Sequence, residues 1–342
     1  MIRRACENKL KWLLITLIIG LAGCGYSDFT LPAPPGKPAS VTFRWNVRPG
    51  PVFPRGAAGE FDAVDTLNPS VIRSGGQYYN LYSGFDGKTW ATGLATSRDG
   101  AQWTRRGRVL APDSATWEGN YIAANGSVLA AGGGEFFYWY QAGDPPRIGL
   151  ARSRDLLHWR KFPQPVLGLG PRGSWDERGV ADSYTIRVDG RFYLYYLGMD
   201  RARRQRLGVA RSTDGIHWTK LRSNPILELG DPGSFDENGL GEPAVWAAHG
   251  FYGMLYTGRY RDEERRIGLA RSRDGVRWER VKQAPIFAGT EEWDSKVVCD
   301  PTVETDGDTI RVWFGGGDKP RPDERLDGQI GFAMLEMLPG GP

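Results

Sequence analysis

The sequence is poor in the residues that staple or metallate a fold. Its 342 residues include three cysteines, Cys6, Cys24 and Cys299, and three histidines, His158, His217 and His249. So few cysteines make no disulfide framework, and an exported domain built from this chain must be held by its core. The scattered histidines point to no metal site and no cofactor. An excess of one charge is missing too: 44 basic residues face 40 acidic ones, interspersed along the chain. That balance excludes a nucleic-acid surface, and the arginine-rich runs at 201–206 and 259–266 read as solvated hairpin turns. No stretch sustains a helical period, which leaves an all-β chain as the natural reading. The apolar run at 12–21 is too short for a membrane span, which takes about 20 residues.

That short run nonetheless has a context. Arg3, Arg4, Lys9 and Lys11 precede or open it, and Leu21-Ala22-Gly23-Cys24 follows. The arrangement resembles the lipobox of bacterial lipoproteins, which implies cleavage before Cys24 and a lipid on that cysteine. Residues 1–23 are then a signal peptide. Gly25 stands where an Asp would signal inner-membrane retention, so the expected location is a bacterial membrane, the outer one, facing periplasm or cell surface. The stretch at 24–42, rich in Pro and Gly, reads as a flexible tether.

Glycine and tryptophan are abundant, at 47 and 13, and they fall in repeats. Ser97-Arg98-Asp99-Gly100-Ala101-Gln102-Trp103 recurs at 153–159, 212–218 and 272–278, each time after an aromatic, strand-like run. A second element reads Asn68-Pro69-Ser70-Val71, Asn125-Gly126-Ser127-Val128, Asp182-Ser183-Tyr184-Thr185, Glu242-Pro243-Ala244-Val245 and Asp300-Pro301-Thr302-Val303. Successive members are 57, 57, 60 and 58 residues apart. A repeat of that length holds four short strands with their turns, one propeller blade. The fold expected is therefore a five-bladed β-propeller over 43–338. Its fifth repeat lacks an outer strand, which residues 43–53 are expected to supply, closing the ring and leaving no long free edge.

The Ser-x-Asp-Gly-x-x-Trp turns resemble the Asp-box turns of sialidases and related propellers. An Asp-Gly pair between strands is a turn signal in itself, so their expected role is structural.

In a propeller the innermost strands meet around one axis. Asn68, Asn125, Asp182, Glu242 and Asp300 occupy one matching position, differing in side chain while their neighbours stay alike. Such variation inside a uniform frame is expected of a functional site on a repeat scaffold. Upstream by six residues lie Asp62, Asp176, Asp236 and Asp294, each after an aromatic, with Trp117-Glu118 offset by one in the second repeat. That regularity reads as a structural bracket, although Trp175 and Trp293 are also candidates to border the pocket and stack on sugar faces.

The five repeats, the turns and the channel acids resemble the propellers of glycoside hydrolase families 43, 32 and 130, over residues 43 to 335. The resemblance implies an oligosaccharide or polysaccharide substrate. From family 43 it implies a base Asp on blade one, a modulating Asp on blade three and a Glu acid on blade four. Asp182 and Glu242 match the last two, but Asn68 stands at the base position and cannot take a proton from water. Hydrolysis usually needs two carboxyl groups flanking the bond, so the base would be Asp300 or Asp65. Glu242, crowded by Asp182 and Asp300, is expected to hold its proton more tightly than usual. Phosphorolysis, as in some members of family 130, and a non-catalytic glycan-binding or surface-assembly role stay open beside the glycosidase.

Overall fold

The computed structural model describes residues 25–339, with the side chain of Pro339 left aside. The leader and Cys24 lie outside the described residues. Among the described residues no helix is long and apolar enough to cross a membrane.

The described residues are all β, apart from one turn of 3-10 helix at Glu292–Asp294. After β1 (Gly25–Ser27) and β2 (Val41–Val47) come five antiparallel meanders. The first is β3 (Asp65–Ser74), β4 (Gln77–Phe85), β5 (Trp90–Ser97) and β6 (Trp103–Leu110). The second is β7 (Ile122–Gly132), β8 (Glu135–Ala142), β9 (Arg147–Ser153) and β10 (Arg160–Lys161). The third is β11 (Gly179–Val188), β12 (Arg191–Met199), β13 (Gln205–Ser212) and β14 (Thr219–Leu221). The fourth is β15 (Gly239–Ala248), β16 (Phe251–Arg259), β17 (Arg265–Ser272) and β18 (Glu279–Arg280). The fifth has β19 (Val297–Asp306), β20 (Thr309–Gly317) and β21 (Gln329–Pro339). Its fourth strand is β2, which pairs antiparallel along β21 from Val41 to Val47. Phe53 then bridges Ile330. The arrangement is propeller-like.

Packing between meanders is aromatic. Tyr82, Tyr138, Trp139, Tyr140, Tyr195, Tyr196, Tyr252, Tyr256 and Trp313, all on second strands, are wholly buried, and each such side chain stabilises the fold by roughly 1.5–3 kcal/mol. Several reach the next unit. Trp139 Nε1 donates to Gly215 O at 2.9 Å, Tyr195 OH donates to Gly275 O at 2.9 Å, and Trp313 Nε1 donates to Gly100 O at 2.6 Å. The last of these joins the fifth meander to the first. The accepting turns are rigid: Ser97 Oγ takes the N–H groups of Asp99 and Gly100, while Asp99 Oδ1 takes those of Ala101 and Gln102.

The six-residue-upstream acids brace the loops that lead into each first strand. Asp62 accepts from Tyr82 OH and Arg105 Nε, Asp176 from Tyr196 OH and Lys220 Nζ, and Asp236 from Tyr256 OH and Arg280 Nε. Glu118, with Tyr140 and Lys161, does the same in the second unit. The fifth unit breaks the rule. Phe314 stands where the others have Tyr, and Val47, opposite Ala333 as Arg105 is opposite Ala95, stands where they have a cation. Asp294 is left with the backbone N–H groups of Thr290 and Glu291, and burial raises its pKa.

The stretch read as a tether is not free. β1 pairs in parallel with β14, Phe29 and Leu31 are buried between the third and fourth meanders, and Pro35 O accepts Gly250 N–H. Two apolar side chains inserted in the core hold a segment whose Pro and Gly content alone suggests freedom.

Candidate functional site

Each first strand carries a bulge at the same place, and β7 has a second irregularity between Ala130 and Gly132. The pairing slips between Leu67 and Ser70, Ala124 and Ser127, Ala181 and Tyr184, Gly241 and Ala244, and Cys299 and Thr302. The first residue skipped in each slip is Asn68, Asn125, Asp182, Glu242 or Asp300, and all five are left-handed, with φ of 47°, 50°, 46°, 45° and 53°. A side chain in that conformation costs about 1–3 kcal/mol and is kept where the surroundings enforce it. A bulge turns the skipped residue out of the alternating pattern and re-aims its side chain. All five line one pocket of about 760 Å³.

Four of the five are hydrogen-bonded in two pairs. Asn125 Nδ2 donates to Asp182 Oδ1 at 3.3 Å, and Ser83 Oγ donates to Asn125 Oδ1 at 2.9 Å. Asp300 Oδ2 accepts the Asn68 N–H at 3.2 Å and the Cys299 thiol at 3.1 Å, and the Asp300 N–H donates to Thr257 Oγ1 at 3.2 Å. Glu242 Oε2 is out of solvent with no hydrogen-bond partner.

Burial first, and neighbouring charge second, governs the protons. Burial pushes Asp182 well above the ordinary carboxylate range, and the charges of Glu242 and Asp300 add to the effect. Asp300 is pushed up to about 7, by burial first and by Glu242 second. The site thus stores protons near neutral pH.

Sequence reasoning also proposed Asp65, Trp175 and Trp293 for the pocket, and none of the three lines it. Asp65 is fully buried, and its carboxylate takes the N–H groups of Arg325, Leu326 and Gly328, fixing the loop before β21. It has no room to activate a water. Trp175 packs on Tyr196 over Gly198 and Gly208, and Trp293 stacks on Phe314 over Gly316 and Gly331. Both are wedges between strands.

The arginine runs read as solvated are so in part: Arg203 and Arg204 are exposed, while Arg265 is buried and Arg259 is half-buried. Arg203 and Arg204 from the β12–β13 turn, and Arg259 and Arg265 from the β16–β17 hairpin, all line the pocket. Arg265 is only 4% exposed, and its Nη2 donates to Arg321 O. Arg259 Nη1 lies 3.2 Å from Glu263 Oε2. A hairpin position one pair from the turn looks the same in sequence whether it faces water or pocket, so no signal separated these arginines from solvated ones. The histidines stay on turns: His158 and His217 each meet an Asp of the same turn at 2.7 Å, and His249 meets Asp308 at 2.9 Å. Among the described residues no cluster of His, Cys, Asp and Glu is arranged to hold a metal ion.

The fold is glycoside hydrolase-like and propeller-like. Residues 125–286 match the family described as "Glycosyl hydrolases family 32 N-terminal domain". The chain belongs to the same family as an uncharacterized protein of Mycobacterium tuberculosis, to which it is 30% identical over 233 residues, 62% of this chain and 75% of the relative. It is similar to a 1,2-beta-oligomannan phosphorylase of a Thermoanaerobacter species, 32% identical over 127 residues, 34% of this chain and 42% of that protein. A solved structure described under "The GH130 family of mannoside phosphorylases contains glycoside hydrolases that target beta-1,2 mannosidic linkages in Candida mannan" superposes with a TM-score of 0.68 at 18% identity. The match covers 89% of this chain and 96% of that one, a likeness of fold.

Proposed function

We propose that the five meanders are the blades of a five-bladed propeller, and that its axial pocket cleaves a glycosidic bond of an oligosaccharide or polysaccharide. Glu242 is the general acid, Asp300 the general base and Asp182 the group that modulates them, with Asn68 and Asn125 positioning substrate. The observation that carries this reading is the set of left-handed bulges that brings three carboxyl groups to one pocket. A general base works best when its pKa lies near the operating pH, and Asp300 at about 7 meets that condition. The unpartnered Oε2 of Glu242 leaves a carboxyl oxygen free to serve a leaving group. Burial, and then the charges of Glu242 and Asp300, make Asp182 hold its proton more tightly than an ordinary carboxyl does. Two carboxyl groups flanking the bond are the usual requirement for hydrolysis, and the pocket has them without Asn68.

The four pocket arginines favour a second reading, in which phosphate replaces water as the nucleophile, since arginine forks fit phosphate oxygens. One experiment separates the readings: turnover of a broad panel of aryl-glycosides and oligosaccharides, with and without phosphate, by the wild type and by Glu242→Gln. Hydrolysis that falls by about a hundredfold or more in the variant supports the acid. A phosphate requirement supports phosphorolysis, and glycan binding with no turnover identifies a binding protein. The chain is further proposed to be exported and held to a membrane by a lipid on Cys24.

A further inference from the structure

The docked N-terminal segment has a consequence for that anchor. The pocket lies at one end of the strands: its wall includes Ile122 and Gly179 where first strands begin, Met199 and Arg259 where second strands finish, and Trp90 and Gln205 where third strands start. Residues 25–41 keep to the other end. Gly25 pairs with Thr219, the first residue of β14, next to the Ser-Asp turn of the third meander. Leu31 N–H donates to Asp274 O in the corresponding turn of the fourth, Gly250 N–H at the β15–β16 turn donates to Pro35 O, and Val41 pairs with Pro339 at the close of β21.

The segment is held by side chains as well as backbone. Phe29 and Leu31 are 9% and 4% exposed, Arg211 lies over the Phe29 ring at 4.7 Å, and Tyr252 OH donates to Pro32 O at 2.8 Å. Gly275 is fitted to it, since a Cβ there would stand 2.8 Å from Leu31. Cys24 is bonded directly to Gly25, and consecutive Cα atoms are about 3.8 Å apart. Strands of nine or ten residues, at about 3.3 Å each, put the pocket end roughly 30 Å from this end.

We infer that the lipid anchor fixes an orientation: the face carrying the Ser-Asp turns of the third and fourth meanders lies against the bilayer, and the pocket opens away from it. The inference rests on lipidation of Cys24. With no free linker between lipid and core, the membrane is an interaction surface of the propeller itself. The pocket then takes glycan from the aqueous side, with room for a long polymer to pass across its mouth.

The test uses the full lipidated chain on phospholipid vesicles that carry a nitroxide-labelled headgroup. A fluorophore is placed on Thr213→Cys, at the turn beside Gly25, or on Lys88→Cys, on the pocket-side β4–β5 turn; both positions are exposed, while Cys299 is fully buried and takes no label. Quenching several-fold stronger at position 213 than at 88 is expected. The contrast is expected to collapse in a Phe29→Ser, Leu31→Ser double variant, in which the segment is released and becomes a linker. Equal quenching in the parent protein, a reversed order, or a contrast that survives the double variant would each overturn the inference. The mass of the N-terminal peptide, compared with Cys24→Ser, reads the anchor separately: an unmodified Cys24 refutes lipidation and the orientation with it, and leaves the catalytic reading standing.

Discussion

Replacing Asp300 by Asn should stabilise the protein, and only at the higher end of the pH range. The Asp300 carboxyl is raised from its ordinary value of 3.8 to about 7, by burial first and then by the charge of Glu242. A carboxyl whose pKa is raised on folding binds its proton more tightly in the folded chain. Below pH 4 it is protonated in both states and contributes nothing. As pH climbs toward 7 the unfolded chain ionises freely and the folded one does not, so stability falls through that window and stays low above it. At about 1.4 kcal/mol for each pKa unit, the full penalty above pH 7 is about 4 kcal/mol. Asparagine avoids it while keeping the shape, and Asn tolerates the left-handed backbone that this position requires. With an unfolding entropy of about 2.1 cal/mol/K per residue over roughly 300 ordered residues, 4 kcal/mol corresponds to about 6 °C in Tm. Calorimetry of the wild type and Asp300→Asn from pH 4 to pH 8 gives the difference directly. It should be near zero at pH 4, approach 6 °C at pH 8, and accompany a loss of turnover. A variant less stable at pH 8, or one shifted equally at every pH, would refute the account of Asp300 as a crowded carboxyl kept for chemistry.

The loop brackets offer a contrast of paired against unpaired acids. Lys220 and Asp176 are both wholly buried and lie 2.5 Å apart, so Lys220→Met, which strands the carboxylate, should cost about 3–5 kcal/mol. Asp294→Asn in the fifth unit, where no cation is lost, should change stability by less than about 1 kcal/mol, as thermal melts at one pH will show. The contact between the first and fifth units includes Trp313 and the turn at Gly100. Gly100 has φ +76° and a Cβ there would stand 2.8 Å from the Trp313 ring, whereas Gly133, with φ +62°, has nothing within 4 Å. Both substitutions by Ala pay the backbone strain, so Gly100→Ala should lower Tm by clearly more than Gly133→Ala.

Much of the fold was legible because the repeat writes its turns in full. The turn needs its Ser and Asp for its own N–H groups, so Ser-x-Asp appears where the third strand runs into the fourth in each of the first four meanders, and the meanders can be counted between the copies. The axial residues were legible for the same reason, as the one variable place in a constant frame. Asp65, Trp175 and Trp293 were misread because their partners are distant in sequence. Asp65 holds Arg325, Leu326 and Gly328 across the junction of the first and fifth units, and nothing near residue 65 records that. The docked segment at 25–38 had a local trace: Phe29 and Leu31 are two bulky apolar residues in a run otherwise rich in Pro and Gly. Weighing composition above those two side chains produced the tether.

The bulges explain why one position can carry amides and carboxylates alike without disturbing the frame. The backbone there is skipped by the ladder and set left-handed, so the pairing to either side is indifferent to the side chain. That freedom makes Asn68 informative. Its N–H binds Asp300 Oδ2, so the residue at 68 stands against a carboxyl already short of solvent and facing Glu242. An aspartate at 68 would add a charge to a group that burial and Glu242 have raised to about 7, whereas an amide adds a donor and no charge. On the proposed function, asparagine at 68 leaves the acidic work of the pocket to Asp182, Glu242 and Asp300, with a base on the fifth meander in place of one on the first. On that proposal the departure at residue 68 redistributes protons among the pocket side chains, and it still leaves the two carboxyl groups that glycosidic cleavage usually requires.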